Sequence, residues 1–224
     1  MNRISVAIDG PSGAGKSTLA RQAARELGFL YVDTGAIYRT IALYCHRKGI
    51  TPEDTSAVAG LLPEIGLELD YGEDGEQRVL LNGEDVSGLI RTPEISMLTS
   101  AVSAVPEVRA FLLEKQRELA RTRDVIMDGR DIGTVVLPDA TVKIYLTAAA
   151  EARAQRRCTE LRAKGMSVTF EEVLRDVQQR DYNDSHRAIS PLRQAEDARL
   201  VDTTCLNLEE SLEVLVRVIR EGIR

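Results

Sequence analysis

The stretch ISVAIDGPSGAGKST, residues 4–18, places an apolar run directly before a loop that contains three glycines and one proline. The segment KSTLARQAAREL, residues 16–27, then has the apolar spacing of a helix. Gly10, Gly15, Lys16 and Ser17 occupy the defining positions of the pattern G-x-x-x-x-G-K-[ST], and the strand before it and the helix after it supply the required context. The stretch therefore predicts a phosphate-binding loop between the first strand and the first helix.

The spacing of this loop has a physical reason. Glycines let several backbone N–H groups converge on phosphate oxygens, and the helix that begins near Lys16 points its positive end at the same space. Lys16 is expected to bridge the outer phosphates of ATP, and Ser17 to ligate Mg²⁺. The predicted nucleotide-binding residues are Gly10, Pro11, Ser12, Gly13, Ala14, Gly15, Lys16, Ser17 and Thr18. A guanine-specific switch protein is disfavoured because the chain has no N-K-x-D segment.

Further apolar runs of strand length indicate the fold class. They are ISVAID, FLYVD, VIMD, VKIYL and RLVD, and segments with helical spacing separate most of them. This alternation is typical of an α/β fold, in which crossover helices flank a parallel sheet. Three runs end in an acid, at Asp9, Asp33 and Asp128, and the carboxyl ends of parallel strands are where ligands bind in such sheets. Capping of the next helix or turn is the alternative role for each acid.

The alternation is interrupted between about residues 50 and 90. TPED, residues 51–54, is interpreted as a helix start with a proline in its first turn, and residues 65–86 carry turn signals that predict a small antiparallel insert. Helices are expected again from Pro93 to Arg123, with a break near Pro106. Thr169 with Glu172, and Asn207 with Glu210, have the spacing of capping boxes and predict the starts of the last two helices.

Composition bounds the possible functions. The chain has 224 residues, a net charge of -6 and no apolar run near the roughly 20 residues of a membrane span. An acidic balance argues against a protein that coats nucleic acid, because that function needs a broad basic surface. Cys45, Cys158 and Cys205 are too few and too scattered for a disulfide framework or a zinc site. We expect one cytoplasmic domain over residues 1–224, without membrane contact.

Arginines cluster where the predicted fold has loops or helix ends facing the crevice. They are Arg39, Arg130, Arg153, Arg156, Arg157, Arg180 and Arg187. In a helix, Arg153, Arg156 and Arg157 can project from one side, and Arg180, Asp184 and Arg187 share another face if the helix persists that far. Phosphoryl transfer gives such a cluster a use, because its transition state spreads negative charge that cations stabilise. Solvated helix faces, and a simple pairing of Asp184 with either arginine, are the alternatives.

Several motifs together resemble bacterial cytidylate kinases, which belong to the nucleoside monophosphate kinases with a phosphate loop. The motifs are IDGPSGAGKST, DTGAIYR, GEDVSGLIRTPEI, DGRDIGTVV and RDYNDSHRAISPL, and they extend over nearly the whole chain. The resemblance implies a five-stranded parallel sheet flanked by helices. It also implies a monophosphate-binding insert over about 35–105 and a short helical lid over about 153–166. The implied reaction transfers a phosphoryl group from ATP, with Mg²⁺, to CMP or dCMP in a monomeric enzyme.

The resemblance also implies roles for individual residues. Arg39, Arg130 and Arg187 match arginines that hold the acceptor phosphate, and Ser100, Arg109 and Asp131 match residues that bind cytosine. Arg180 and Asp184 match residues near the ribose, while Arg153 and Arg157 of the lid match arginines for the transferred group. With Lys16, the arginines at 130, 153, 157 and 187 form the predicted catalytic set. Thr34 stands where the family often has serine, so its extra methyl group is expected to tighten or shift the base pocket.

Cytosine recognition by an acid and an arginine is chemically reasonable. Cytosine presents an amino donor at N4 and acceptors at N3 and O2, whereas uracil presents an acceptor and a donor in the first two places. A site built for one pattern leaves buried polar groups unpaired with the other, which permits discrimination of about 10⁴-fold or more. Pairing of Asp131 with Arg130 as an ordinary loop ion pair is the alternative.

Other functions stay open at this point. Shikimate and dephospho-coenzyme A kinases typically carry Asp-x-Asp after the second strand, but this chain has Gly35 in place of the second acid. Adenylate and uridylate kinases share the chemistry without the insert or the DGRDIG motif. An ATP-hydrolysing regulatory module would explain the phosphate loop but not the arginines, and a phosphate-binding domain without activity has no particular support.

Overall fold

The computed structural model describes residues 3–72, 75–163 and 165–224. The strands are β1 (Ser5–Asp9), β2 (Leu30–Asp33), β3 (Leu67–Tyr71), β4 (Gln77–Leu81), β5 (Glu84–Asp85), β6 (Val125–Gly129), β7 (Val142–Thr147) and β8 (Arg199–Asp202). The helices are α1 (Lys16–Leu27), α2 (Thr34–Arg47), α3 (Thr55–Leu61), α4 (Pro93–Val102), α5 (Pro106–Thr122), α6 (Ala150–Ala163), α7 (Phe170–His186) and α8 (Leu208–Gly222). Short 3₁₀ helices lie at Leu62–Glu64 and Leu89–Arg91, and a short π-helix lies at Ile132–Val136.

Five strands form the main sheet, in the order β2-β6-β1-β7-β8, and every neighbouring pair is parallel. The registers place Asp9 opposite Gly129, and Asp33 opposite Asp128, so the three strand-end acids lie at one edge of the sheet. The predicted α/β class with a five-stranded parallel sheet is confirmed. The near-continuous apolar runs of β1 and β6 follow from burial on both faces of the sheet.

Helices cover both faces of this sheet with separate hydrophobic clusters. One cluster packs α2, α4, α5 and the insert against the sheet, and Ile37, Ile41 and Leu112 are at its centre. The other packs α1 and α8 against the opposite face, around Leu19, Ile144 and Leu215. With both faces covered, a ligand crevice is expected at the carboxyl ends of the strands, where open parallel sheets bind their ligands.

The predicted antiparallel insert is present as the sheet β3-β4-β5. It covers β2, the outermost strand of the main sheet, through side chains. The Gln77 amide accepts a hydrogen bond from the Asp33 backbone N–H at 2.8 Å and donates one to the Asp33 carbonyl at 3.3 Å. Glu76 pairs with Arg21 of α1 at 2.8 Å. The insert thus contacts both the second strand and the helix that follows the phosphate loop.

Helices α6 and α7 pack against each other as a hairpin with its own small hydrophobic cluster, formed by Ala154, Cys158, Val173 and Val177. The capping box at Thr169 is confirmed: its hydroxyl accepts from the Glu172 N–H at 3.2 Å, and the Glu172 carboxylate accepts from the Thr169 N–H at 2.9 Å. The hairpin is joined to the rest of the chain through polar contacts, among them Arg153 with the Ser12 carbonyl and Arg156 with the Thr203 carbonyl.

Two local expectations are corrected. Helix α3 begins at Thr55 with Asp54 as its cap, so Pro52 lies in the preceding turn and not in the first helical turn. The Asp54 side chain accepts a hydrogen bond from the Ala57 N–H at 2.9 Å. This bond satisfies one of the backbone amides that the start of a helix leaves without a partner. Helix α7 ends at His186, so Arg187 has extended backbone and does not share the helical face of Arg180 and Asp184.

Within the described ranges no single helix is long and apolar enough to cross a membrane. Helices α4 and α5 together have the length and composition of a membrane span, but the chain bends by 96° between them. The three cysteines are free thiols; Cys45 and Cys158 are buried and Cys205 is exposed.

Candidate active site

The phosphate loop has the backbone that its glycines predict. Gly10, Gly13 and Gly15 have positive φ angles of 153°, 75° and 89°. A Cβ on Gly10 would lie 1.9 Å from the carbonyl oxygen of Leu146, because β7 passes directly beside the loop. The loop therefore requires glycine at position 10 for close packing as well as for its dihedral angles. Ala14 is buried beneath the loop, while Gly13 and Thr18 are exposed.

Lys16 is the first residue of α1 and is buried. Its Nζ donates to the carbonyl oxygens of Gly10 at 2.7 Å and Pro11 at 2.8 Å. Burial lowers the pKa of Lys16 to about 7, and repulsion from Arg130 acts in the same direction. A bound phosphate chain would add its negative charge to that of Asp128, Asp184 and Asp9, which already favour the ammonium form.

Ser17 lies beside an acid from the neighbouring strand. Its hydroxyl donates to the Asp128 carboxylate at 2.8 Å, and the phenol of Tyr31 donates to the same carboxylate at 2.9 Å. Burial raises the pKa of Asp128, and repulsion from Asp33 adds to that effect. A hydroxyl and a carboxylate are hard oxygen donors of the kind that Mg²⁺ accepts alongside phosphate oxygens and water. Within the described residues no group of three or more acids, cysteines or histidines forms a metal cage.

Arg39 extends from α2 toward the same edge of the sheet. Its Nη2 donates to Asp33 at 2.9 Å, and Arg91 of the insert lies 3.6 Å from the same carboxylate. Asp33 also caps α2 by accepting a hydrogen bond from the Ala36 N–H at 2.9 Å. It therefore both binds Arg39 at the end of β2 and caps the helix that follows. A Cβ on Gly35 would lie 3.0 Å from Arg39 and 3.1 Å from Asp33, which explains glycine in DTG.

Arg130 lies near Lys16 of the phosphate loop, and Arg180 lies near Arg130. Arg130 Nε donates to Asp184 of α7 at 2.8 Å. Burial acts to raise the pKa of that carboxyl, but this hydrogen bond and the charges of Arg130, Arg180 and Arg187 together lower it. Arg180 is half-buried, and it makes no hydrogen bond or ion pair with any residue that the structure describes. Burial lowers the pKa of Arg180, and the neighbouring charge of Arg130 lowers it further. An unpaired guanidinium among other arginines is a strong indication of an anion site.

A second polar cluster lies beyond these arginines. Asp131 is buried, and its carboxylate pairs with Arg109 of α5 and lies 3.5 Å from Arg187. Arg109 also donates to the Ser103 carbonyl at 3.0 Å and stands over the Tyr38 ring, 5.5 Å from its centre. Asp131 therefore does not form the loop ion pair with Arg130 that was considered as an alternative. This cluster provides a carboxylate, two guanidinium groups and an aromatic ring in one place.

Ser100 and Thr34 are each linked to the site through a hydrogen bond that involves a backbone carbonyl. The Ser100 carbonyl accepts from the Ser103 hydroxyl at 2.9 Å, which links Ser100 to the end of α4 where Arg109 is held. The Thr34 hydroxyl is buried and donates to the Asp128 carbonyl at 2.7 Å. Thr34 thus stabilises the strand end that precedes Gly129 and Arg130.

The chain that carries these sites is similar in sequence to proteins of known family. A sequence model described as "Cytidylate kinase" matches residues 6–221. The chain belongs to the cytidylate kinase family. It is similar to the cytidylate kinases of Syntrophotalea carbinolica, with 50% identity over 99% of this chain and 94% of the relative, and of Carboxydothermus hydrogenoformans, with 52% identity over 96% of each. The resemblance drawn from the sequence motifs is confirmed.

A solved structure adds a likeness in fold alone. An uncharacterized protein from Eubacterium ventriosum has a TM-score of 0.54 and 13% identity, and the match covers 98% of this chain and 99% of that one. At this identity the comparison supports the architecture of the cytidylate kinase family member and carries no argument about its site.

The lid arginines of this cytidylate kinase family member occupy three different environments. Arg153 is buried and contacts the phosphate loop and α7, whereas Arg156 donates to the Thr203 carbonyl at 2.6 Å. Arg157 is half-exposed and pairs with Glu160 at 3.1 Å. The three arginines lie on one helix at the spacing that lets them project from one side, but they make different contacts, because helical spacing sets a direction and not the contacts of long side chains.

Sequence reasoning did not assign site roles to Tyr31, Tyr38, Asp128 and Asp181, although Asp128 carried a signal as the acid that ends an apolar strand. Tyr31 and Asp181 had no such signal, because their roles depend on packing between distant segments. Tyr38 lies within the DTGAIYR motif, in which Thr34 and Arg39 are the residues with an expected substrate-binding role.

Proposed function

We propose that this chain transfers the γ-phosphoryl group of ATP to CMP or dCMP, giving ADP and CDP or dCDP. The observation that supports it best is a connected group of charged side chains. Lys16 of the phosphate loop lies near Arg130, and Arg130 pairs with Asp184 beside the unpaired Arg180. Arg187 lies near both Asp184 and the Asp131–Arg109 pair. The family membership and the relatives' names agree with this acceptor.

The chemistry required of the protein is mainly positioning and charge stabilisation. The loop amides and Lys16 would hold the ATP phosphates, while Arg39 and Arg130 would hold the acceptor phosphate. In this structure those two arginines are paired with Asp33 and Asp184, so an incoming phosphate finds guanidinium groups that are already oriented. The acceptor oxygen is anionic near neutral pH, and for this reason no general base is needed.

Mg²⁺ would be held by Ser17 and Asp128 together with phosphate oxygens. Their hydroxyl and carboxylate lie 2.8 Å apart at the start of α1, and both are suited to this ion. The ion would neutralise charge on the phosphate chain during transfer. Tyr31 orients Asp128 from the side through its hydrogen bond of 2.9 Å.

The base would be recognised by the second polar cluster. The Asp131 carboxylate is an acceptor suited to the N4 amino group of cytosine, and Arg109 or Arg187 is a donor suited to N3 and O2. Arg187 Nη2 is buried and has no hydrogen-bond partner in the described structure, and the same is true of Arg39 Nε. Ser100 is placed near this cluster, and Arg180 with Asp184 would lie near the ribose.

We further propose that the enzyme acts as a cytoplasmic monomer that binds neither nucleic acid nor membranes. The net charge of -6 disfavours polyanion binding. Light scattering coupled to size-exclusion chromatography tests the oligomeric state.

The deciding experiment measures Mg²⁺-dependent ADP formation from ATP with CMP, dCMP, UMP, AMP, shikimate or no acceptor. Strong turnover with CMP and dCMP alone supports the proposal. Turnover that is independent of acceptor indicates an ATP-hydrolysing module, and turnover with shikimate or AMP indicates another phosphate-loop kinase.

A further inference from the structure

Arg153 is the most completely paired arginine of the lid. Only 4% of its surface is exposed. Its Nε donates to the Ala148 carbonyl at 2.8 Å, and its Nη1 donates to the Ser12 carbonyl at 2.9 Å. Nη1 and Nη2 together bind the Asp181 carboxylate at 3.0 Å and 2.5 Å. Four of the five N–H groups of this guanidinium are therefore used within the protein.

The contact with Ser12 reaches into the phosphate loop. A peptide group is planar and trans, so its C=O and N–H bonds point in opposite directions. By binding the Ser12 carbonyl, Arg153 fixes the direction of the Gly13 N–H, which belongs to the same peptide. Gly13 is exposed, and its amide is one of those that the loop can offer to a phosphate.

Asp181 provides the other half of this arrangement. It is on α7, and its side chain is 28% exposed, so the pair with Arg153 is largely removed from solvent screening. The fork of Arg153 fits this carboxylate bidentately, which fixes the orientation of the guanidinium plane as well as its position. Without Asp181, the Arg153 head would lose the partner that aims Nη1 at Ser12.

Arg157 contrasts with Arg153. One helical turn along α6, its side chain is 42% exposed, and among the described residues its only ion pair is with the still more exposed Glu160. Such a surface pair is weak and easily exchanged for a phosphate. Arg157 is therefore available to a ligand, whereas Arg153 would first have to release Asp181 or Ser12.

We propose that Asp181 and Arg153 form a positioning pair that sets the orientation of the Ser12–Gly13 peptide in the phosphate loop, and that Arg157, not Arg153, contacts the transferred phosphoryl group. The proposal deepens the proposed function and rests on it for the identity of the nucleotide. It assigns a role to Asp181 and separates the roles of two arginines that the sequence leaves equivalent.

The test uses the single variants Asp181→Asn, Asp181→Ala, Arg153→Ala and Arg157→Ala. It also uses the double variant that combines Asp181→Ala with Arg153→Ala. Asp176→Ala is the matched control, because Asp176 is an exposed acid on the same helix. Binding of ADP is measured by calorimetry without an acceptor, and steady-state kinetics are measured with CMP. Because the binding measurement needs no acceptor, it reports on the pair even if CMP is not the substrate, and wild-type turnover with CMP tests the proposed function separately.

We expect each variant of the pair to weaken ADP binding and to raise KM for ATP by about ten- to hundredfold, the scale of a lost charge-assisted hydrogen bond. KM for CMP should change less than about twofold. The double variant should be no worse than Arg153→Ala, since the two residues act as one unit. Arg157→Ala should instead lower kcat more than it changes either KM.

Three results would overturn the proposal. If Arg153→Ala lowers kcat while Asp181→Ala keeps or raises activity, Arg153 releases Asp181 and contacts the phosphoryl group itself. If both variants lower Tm but leave ADP binding unchanged, the pair only stabilises the hairpin. If Asp176→Ala weakens ADP binding to the same extent, the loss comes from the changed net charge of α7 and not from the Asp181–Arg153 pair. Asp181→Asn, which keeps the shape of the side chain, supplies the measurement if an alanine variant does not fold.

Discussion

At the scale of single residues, Asp9 shows how one buried carboxylate organises this site. It ends β1 immediately before the phosphate loop, and its two oxygens accept from the N–H groups of Ile132 and Gly133, both at 2.7 Å. These amides directly follow Asp131. Asp9 therefore fixes the loop that carries Arg130 and Asp131 to the strand that carries the phosphate loop.

Asp9 predicts a dependence of stability on pH. Burial raises its pKa from 3.8 to about 6, and the two amide hydrogen bonds only partly oppose that effect. The folded protein thus binds more protons than the unfolded chain between these values, so stability falls as pH rises through this window. The raised pKa corresponds to about 3 kcal/mol of unfolding free energy. We expect urea unfolding to show this loss between about pH 4 and about pH 7 in the wild type but not in Asp9→Asn; parallel profiles would contradict it.

Asp131 predicts the specificity of the enzyme for its base. Asp131→Ala removes the acceptor for the N4 amino group and leaves the buried guanidinium groups of Arg109 and Arg187 without their common partner. We expect kcat/KM to fall by about a hundredfold or more with CMP and far less with UMP. Steady-state assays with both nucleotides measure the ratio, and equal losses with the two would rule out base recognition by this residue.

At the scale of secondary-structure elements, the insert depends on how it is attached to β2. Gln77 binds both backbone groups of Asp33, in the manner of a neighbouring strand, and Asp33 in turn orients Arg39. The attachment explains how a separate sheet contributes to the position of an arginine assigned to the acceptor phosphate.

Gln77→Ala tests this attachment. Loss of two hydrogen bonds leaves backbone groups of the outermost strand unpaired, and we expect KM for CMP to rise several-fold while KM for ATP stays nearly constant. Arg78→Ala is the matched control, because Arg78 is the next residue along β4 and is exposed. Equal changes in the two variants would show that the insert does not act through Gln77.

The elements themselves could be read from the sequence because each rests on local physics. Strand runs, the glycine pattern of residues 10–15 and the capping boxes at Thr169 and Asn207 depend on neighbours only a few residues away. The end of α7 could not be read in the same way. Arg187 leaves the helical backbone just before a bend at residues 188–190, where Ser190 has a φ of 48°. The helical spacing of Arg180, Asp184 and Arg187 does not reveal this change.

At the scale of the whole molecule, charge is distributed unevenly. The chain has a net charge of -6, yet it holds Arg39, Arg130 and Arg180 near one another, with Arg187 near Asp184. Such a group of cations is expected to attract anionic substrates against the overall charge, and salt screens that attraction over about 8–10 Å at ordinary ionic strength.

Activity should therefore depend on salt in a particular way. Raising KCl from about 50 mM to about 500 mM is expected to increase KM for CMP and for ATP several-fold, with a much smaller change in kcat. Inhibition by cytidine, which has no phosphate, is the control and should change little. A salt effect confined to kcat would contradict an electrostatic role in binding.

The arrangement of the site was predictable in part. The sequence predicted residues for the site, because the strand ends of a parallel sheet meet at one edge and family motifs mark Arg109, Asp131 and Arg180; the structure brings Arg109 and Asp131 into one ion pair. It could not identify the partners, since pairs such as Arg130–Asp184 and Arg153–Asp181 join segments 54 and 28 residues apart. Those pairings depend on which long side chains pack together after folding.

Gly10 has a consequence for reading mutational data on this chain. A Cβ there would overlap the Leu146 carbonyl, so every other amino acid would force β1 and β7 apart regardless of nucleotide. In a deep mutational scan selected for catalysis, position 10 would look like a phosphate-binding residue. In a parallel scan selected only for abundance of folded protein, we expect it to be equally intolerant, whereas Ser17 should tolerate substitution there. Comparing the two scans would separate the architectural glycine of this loop from the residue that acts on the ligand.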